Sequence, residues 1–112
     1  MLYAAFIFTK WDTDEDLDPA EFGRYSKFNA ESESAGVRRG GLALHPVSAA
    51  TTLRLRDDET LVTDGPFLES KEQLAGFYLL ECENIDEALA WAGRIPGARH
   101  GAIEVRPVLA EH

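Results

Sequence analysis

The sequence predicts a single α+β domain in which two helices lie on one face of an antiparallel sheet, and three observations predict it. Apolar runs of strand length and runs of helical spacing follow one another as strand, helix, strand, hairpin, strand, helix, strand. Each helical run carries its own capping and stop residues. The 112 residues show no repeat, linker or low-complexity segment, so one domain spanning residues 1–112 is the default.

The first strand is Leu2 to Phe8, apolar on both alternating sets, which demands cover on both of its faces. The acidic stretch Asp12 to Asp18 reads as a surface loop. It lacks the turn glycine and ligand pattern of a hard-cation loop. Asp18, Pro19 and Glu21 supply an N-cap, a favoured first helical residue and a capping-box acid. The helix that follows bears a stripe of Phe22, Tyr25, Phe28, Ser32 and Ala35 and stops at Gly36.

Val37 to Leu44 forms the second strand, with Gly40-Gly41 permitting a bulge or the close approach of another backbone, and Pro46 ends it. Thr51 to Arg56 and Thr60 to Thr63 make a hairpin turned at Asp57-Asp58. Asp64-Gly65-Pro66 has turn chemistry, and Ser70 with Gln73 predicts a short capped helical turn. Phe77 to Cys82 is the next strand. Asn84 and Glu87 open a second helix with the stripe Ile85, Ala88, Leu89, Ala92 and Ile95, ended by Pro96-Gly97. Ala102 to Val108 closes the chain as a strand. This order is the split βαβ, ferredoxin-like plan with an inserted β-hairpin and both helices on one sheet face. A second copy is the simplest cover for the opposite face, which predicts a homodimer of the dimeric α/β-barrel type.

Composition excludes several classes of function. A formal net charge of −9, with no dense Lys/Arg cluster, repels phosphate backbones and anionic headgroups, so neither nucleic acid nor membrane is an expected partner. The apolar opening has no basic flank and ends at Thr9-Lys10, too short for a span, and Cys82 is the lone cysteine. A cytoplasmic location follows as the expectation. Cys82 itself reads as a small buried hydrophobe. No glycine-rich phosphate cradle and no His or Cys pair at metal-ligand spacing occurs, so neither a cofactor nor a metal is expected.

Thr51 to Arg54, the run Leu61 to Tyr78 that contains Asp64-Gly65-Pro66-Phe67, Asp86 to Ala88, Ala90 to Ala92, Ile95-Pro96 and Glu104 to Pro107 together resemble the YCII-related family. Within it they resemble the DGPF-domain branch, named for the residues at 64–67. The resemblance covers nearly the whole chain and implies a dimeric ferredoxin-like fold. It implies little about activity. The wider family carries a proposed His/Asp pair in a pocket, includes relatives acting on chlorinated ring compounds, and often occurs beside sigma factors of the extracytoplasmic-function type. No such helical domain is present in this sequence, so an association of that kind would be in trans.

Among residues able to do chemistry, Asp64 sits on a rigid Gly-Pro turn and suits acid–base work, or simply caps that turn. His45, before Pro46, is the candidate partner able to exchange a proton near neutrality. Arg54 offers a planar fork for a carboxylate, or a structural ion pair to Glu69, Glu81 or Glu104. Tyr78 and Trp11 offer polar aromatic tips that also suit a core or an interface. His100 and His112 read as solvated surface groups. Beside an inert oligomeric scaffold, two functional readings follow. One is a cofactor-independent enzyme for a small-molecule ligand, with Asp64 and His45 exchanging protons and Arg54 and Tyr78 orienting the ligand in a cleft between sheet and hairpin. The other is a non-catalytic binding or regulatory module, its signature an exposed apolar patch.

Overall fold

The computed structural model describes residues 1–12, 16 and 18–109. Most of the acidic Asp12 to Asp18 stretch, and His112, lie outside the described residues. The strands are β1 (Leu2–Thr9), β2 (Arg38–Ala43), β3 (Thr51–Arg56), β4 (Glu59–Asp64), β5 (Gln73–Glu81) and β6 (Ala102–Pro107), and the helices are α1 (Pro19–Ser34) and α2 (Ile85–Ala92). Four strands form an antiparallel sheet in the order β2-β5-β1-β6, and β3-β4 stand apart as a two-stranded ribbon. With the ribbon set aside, this is the ferredoxin-like α+β arrangement.

The caps fall where the sequence puts them. The Ala20 N–H donates to Asp18 Oδ1 at 3.0 Å and the Glu87 N–H to Asn84 Oδ1 at 3.0 Å, each satisfying a donor that the first helical turn leaves open. Burial then alternates strictly along β1, so that Tyr3, Ala5, Ile7 and Thr9 face the helices. Tyr78 and Leu80 of β5 join them. Phe28 of α1 packs edge-on against Tyr78, ring centroids 4.9 Å apart, and meets Trp91 of α2 at 6.3 Å. Leu80 and Ile95 are fully buried, and each contributes about 1.5–3 kcal/mol through the apolar surface it removes from water.

Gly40 and Gly41 behave as the sequence suggests. The register slips between Arg38 and Gly40, and a Cβ at Gly41, whose φ is +148°, would lie 2.5 Å from the Phe77 carbonyl oxygen. Only glycine lets β2 lie this close to β5.

Three local expectations are corrected. No helical turn forms at Ser70 to Gln73. Gln73 instead starts β5, and its side-chain amide donates to the Leu68 and Ser70 carbonyls at 3.3 and 2.9 Å, so hydrogen bonding to the preceding loop replaces the cap. The second helix is shorter than its stripe: α2 ends at Ala92, and a separate 3₁₀ turn, Pro96–Arg99, follows because proline cannot continue the α-helical ladder. Phe22, placed on the core stripe of α1, is 59% exposed. The first turn of α1 stands off the sheet, and a cavity lies in that gap.

The hairpin turns through Asp57 and Asp58, both at positive φ (51° and 65°), a tight reversal that matches the strand twist. Every residue from Leu53 to Asp64 is exposed. Among the described residues, no helix is long and apolar enough to cross a membrane.

Candidate functional site

The cavity holds about 380 Å³ between the first three turns of α1 and the β2, β5 and β1 strands. Its apolar lining comes from Ile7, Trp11, Phe22, Leu42 and Leu44. The loop after β1 is tied to the end of β2 by Trp11, whose indole N–H donates to the Leu44 carbonyl at 2.8 Å. The Val47 N–H returns to the Trp11 carbonyl at 3.0 Å. One side-chain bond and one backbone bond thus fix this wall of the cavity.

The polar lining is supplied by α1, β5, β2 and the 97–101 loop. Glu21 is central. Its side chain turns into the cavity instead of closing a capping box, and Oε2 lies 2.7 Å from His100 Nε2. Arg24 donates to the other oxygen, Oε1, at 3.0 Å. Burial works against the charge on Glu21, but these hydrogen bonds and the nearby positive charges outweigh it and hold the carboxyl below its ordinary range. A charged carboxylate has no proton to give, so His100 Nε2 is the donor in this contact.

Two phenols lie deeper. Tyr25 accepts the Gly97 N–H at 3.2 Å, which leaves its own O–H to be donated elsewhere. Burial raises its pKa, the Gly97 bond opposes the shift and the Glu21 charge adds to it. Tyr78 donates to Asn29 Oδ1 at 2.6 Å, and burial, with a contribution from Tyr25, pushes its pKa up to about 12 against the pull of Arg38. Both phenols therefore stay neutral across the physiological range. Arg38 donates through Nη2 to Glu33 at 3.0 Å, while its buried Nε–H is the one buried side-chain polar atom without a partner among the described residues.

The residues singled out from sequence do not all line the cavity. Tyr78 lines the cavity; Asp64, His45 and Arg54 do not. Asp64 is exposed at the end of β4, paired in register with Thr51, and the adjoining turn is held by the Gly65 N–H to the Ala50 carbonyl at 2.8 Å. His45 is exposed between Leu44 and the buried Pro46. The Arg54 guanidinium lies 4.6 Å over the Phe67 ring rather than pairing with Glu69, Glu81 or Glu104. Cys82 is buried, and burial, with Glu87 nearby, raises its pKa, so it packs as a thiol. Sequence reading missed Glu21 and His100 as a pair, because 79 residues separate them and each has an ordinary local explanation.

The YCII-related domain matches residues 1–111. The chain is also similar to an uncharacterised protein of Rhizobium meliloti (strain 1021), 39% identical over 114 residues that span 96% of this chain and 92% of that protein. A whole-length family match, a relative at this identity and a ferredoxin-like sheet with an inserted ribbon agree: the chain belongs to the YCII-related family.

Proposed function

We propose that this protein is a cofactor-independent enzyme that moves a proton on a small molecule held in the cavity beneath α1, with His100 as the proton-transfer group and Glu21 as the residue that positions it. The observation that carries this reading is the 2.7 Å Glu21–His100 contact in a cavity that also holds two neutral phenols. A carboxylate that fixes the tautomer and orientation of an imidazole is a recurring way to prepare a general base. The volume of about 380 Å³ lies at the small end of the roughly 300–1,000 Å³ usual for ligand clefts, which suits a single-ring molecule.

The working unit in this reading is a homodimer. Leu2, Ala4, Phe6 and Phe8 of β1, with Phe77 and Leu79 of β5, lie on the sheet face that neither helix covers. The ribbon adds Leu53, Leu55 and Val62, 60 to 63% exposed. A second copy of the chain accounts for both surfaces, and the same ribbon supports the second reading. In that reading the chain is a binding module whose apolar ribbon engages another protein, such as the sigma factor that the family resemblance suggests.

Proton exchange at carbon tests the enzymatic reading without knowledge of the natural substrate. Nitroalkanes and small ketones in deuterated buffer are expected to exchange their acidic C–H faster with the protein than without it. His100→Gln abolishes that acceleration, and Glu21→Gln lowers it by about 10²-fold or more. Exchange that survives His100→Gln unchanged rejects the assignment.

A further inference from the structure

The charged and polar groups of the cavity are not equally committed. Its carboxylates are engaged: Glu21 by His100 and Arg24, Asp18 by the Ala20 N–H and by Arg24 at 4.0 Å, Asp16 by the Asp12 N–H at 2.9 Å and by Lys10 at 3.7 Å. The uncommitted groups are donors. Tyr25 uses its oxygen as an acceptor for Gly97 and keeps a free O–H. Asn29 accepts from Tyr78 through Oδ1, which leaves both of its amide N–H groups open among the described residues. Arg38 keeps a buried, unpartnered Nε–H.

We infer that the inner wall of the cavity formed by Tyr25, Asn29 and Arg38 recognises the carboxylate of a small ligand with a flat apolar body, so that the substrate class is small carboxylic acids and not amines or alcohols. This rests on the cavity being the functional site. A buried donor without a partner costs free energy comparable to a lost hydrogen bond, and an anionic acceptor recovers the most from it. The Arg38 guanidinium is held by Glu33 through Nη2 and its Nε–H lies under the lining, so a carboxylate reaches it through a shift of the guanidinium. The apolar lining from Ile7, Trp11, Phe22 and Leu42 receives the body of the ligand. With the carboxylate on this wall, the rest of the molecule extends toward the Glu21–His100 pair.

The test uses three ring compounds of nearly equal size that differ in one polar group: benzoate, benzyl alcohol and benzylamine, titrated into the full chain and followed by calorimetry. Benzoate is expected to bind at millimolar concentration or below, and at least tenfold more tightly than the other two. Tyr25→Phe and Asn29→Asp are each expected to weaken benzoate by roughly tenfold, since each removes or opposes a hydrogen bond to a charged group. Arg38→Lys, which keeps the charge and loses the fork, is expected to weaken it less. Thermal melts of each variant separate lost binding from lost folding. No benzoate binding, benzylamine binding as tight as benzoate, or benzoate affinity unmoved in folded Tyr25→Phe and Asn29→Asp each overturns the inference. His100→Gln distinguishes the two claims, since it is expected to retain benzoate binding while losing proton exchange. Benzoate binding without exchange in the wild type rejects only the enzymatic reading. Exchange without benzoate preference rejects only this one.

Discussion

Glu21 occupies the third position of α1, three residues after its N-cap, where a sequence pattern assigns its carboxylate to the backbone of the first turn. In the structure that carboxylate is spent on His100, and the difference sets both chemistry and stability. Its pKa is held below the ordinary value of 4.5 in the folded state, so it contributes stability that is fully present above that value and is lost as pH falls through the lowered one. Glu21→Gln is therefore expected to lower stability at neutral pH by up to about 1 kcal/mol, the range for partly solvated ion pairs, and to make no difference in strong acid. Urea denaturation of both proteins across the acid range checks this. A deficit that persists unchanged in strong acid would mean that packing, not charge, makes the contribution. Asp18 and Asn84 were legible from sequence because an N-cap bonds to residues two or three positions away. The Glu21–His100 pair was not, since the tertiary fold alone brings α1 to the 97–101 loop.

At the scale of elements, the strands and helices were readable where periodicity and end signals coincided, as in β1, α1 and β6. Errors arose where one residue had two uses. Gln73 has the identity of a capping residue and the position of a strand start, and its amide served the loop. Phe22 has the spacing of a core residue, yet it lies where α1 lifts away from the sheet. The β3-β4 ribbon is the element least explained by a single chain, because an isolated two-stranded hairpin is marginal in water and this one exposes Leu53, Leu55 and Val62 on a single face. The proposed homodimer would bury them. Leu53→Asp combined with Val62→Asp is expected to convert a dimer into a monomer in light scattering while leaving the four-stranded sheet folded, as read by circular dichroism. A wild-type monomer, or a double variant that stays dimeric, removes the ribbon from the interface.

The whole molecule measures 46 × 36 × 18 Å, and its radius of gyration of 15.6 Å exceeds the roughly 13 Å of a globular chain this size. The excess fits an arm that leaves the body and a sheet covered by helices on one face only. That geometry separates two surfaces: the open sheet face with the ribbon, and the cavity under α1. Asp64 and His45, the most prominent candidates in the sequence, lie outside that cavity, so the account stands on where a ligand binds. Amide chemical-shift mapping of the full chain, with a mixture of small aromatic acids, alcohols and amines, tests this most directly. The account predicts that the shifts concentrate at Glu21, Tyr25, Asn29, Tyr78 and His100. Shifts concentrated instead at His45, Arg54 and Asp64 would contradict it.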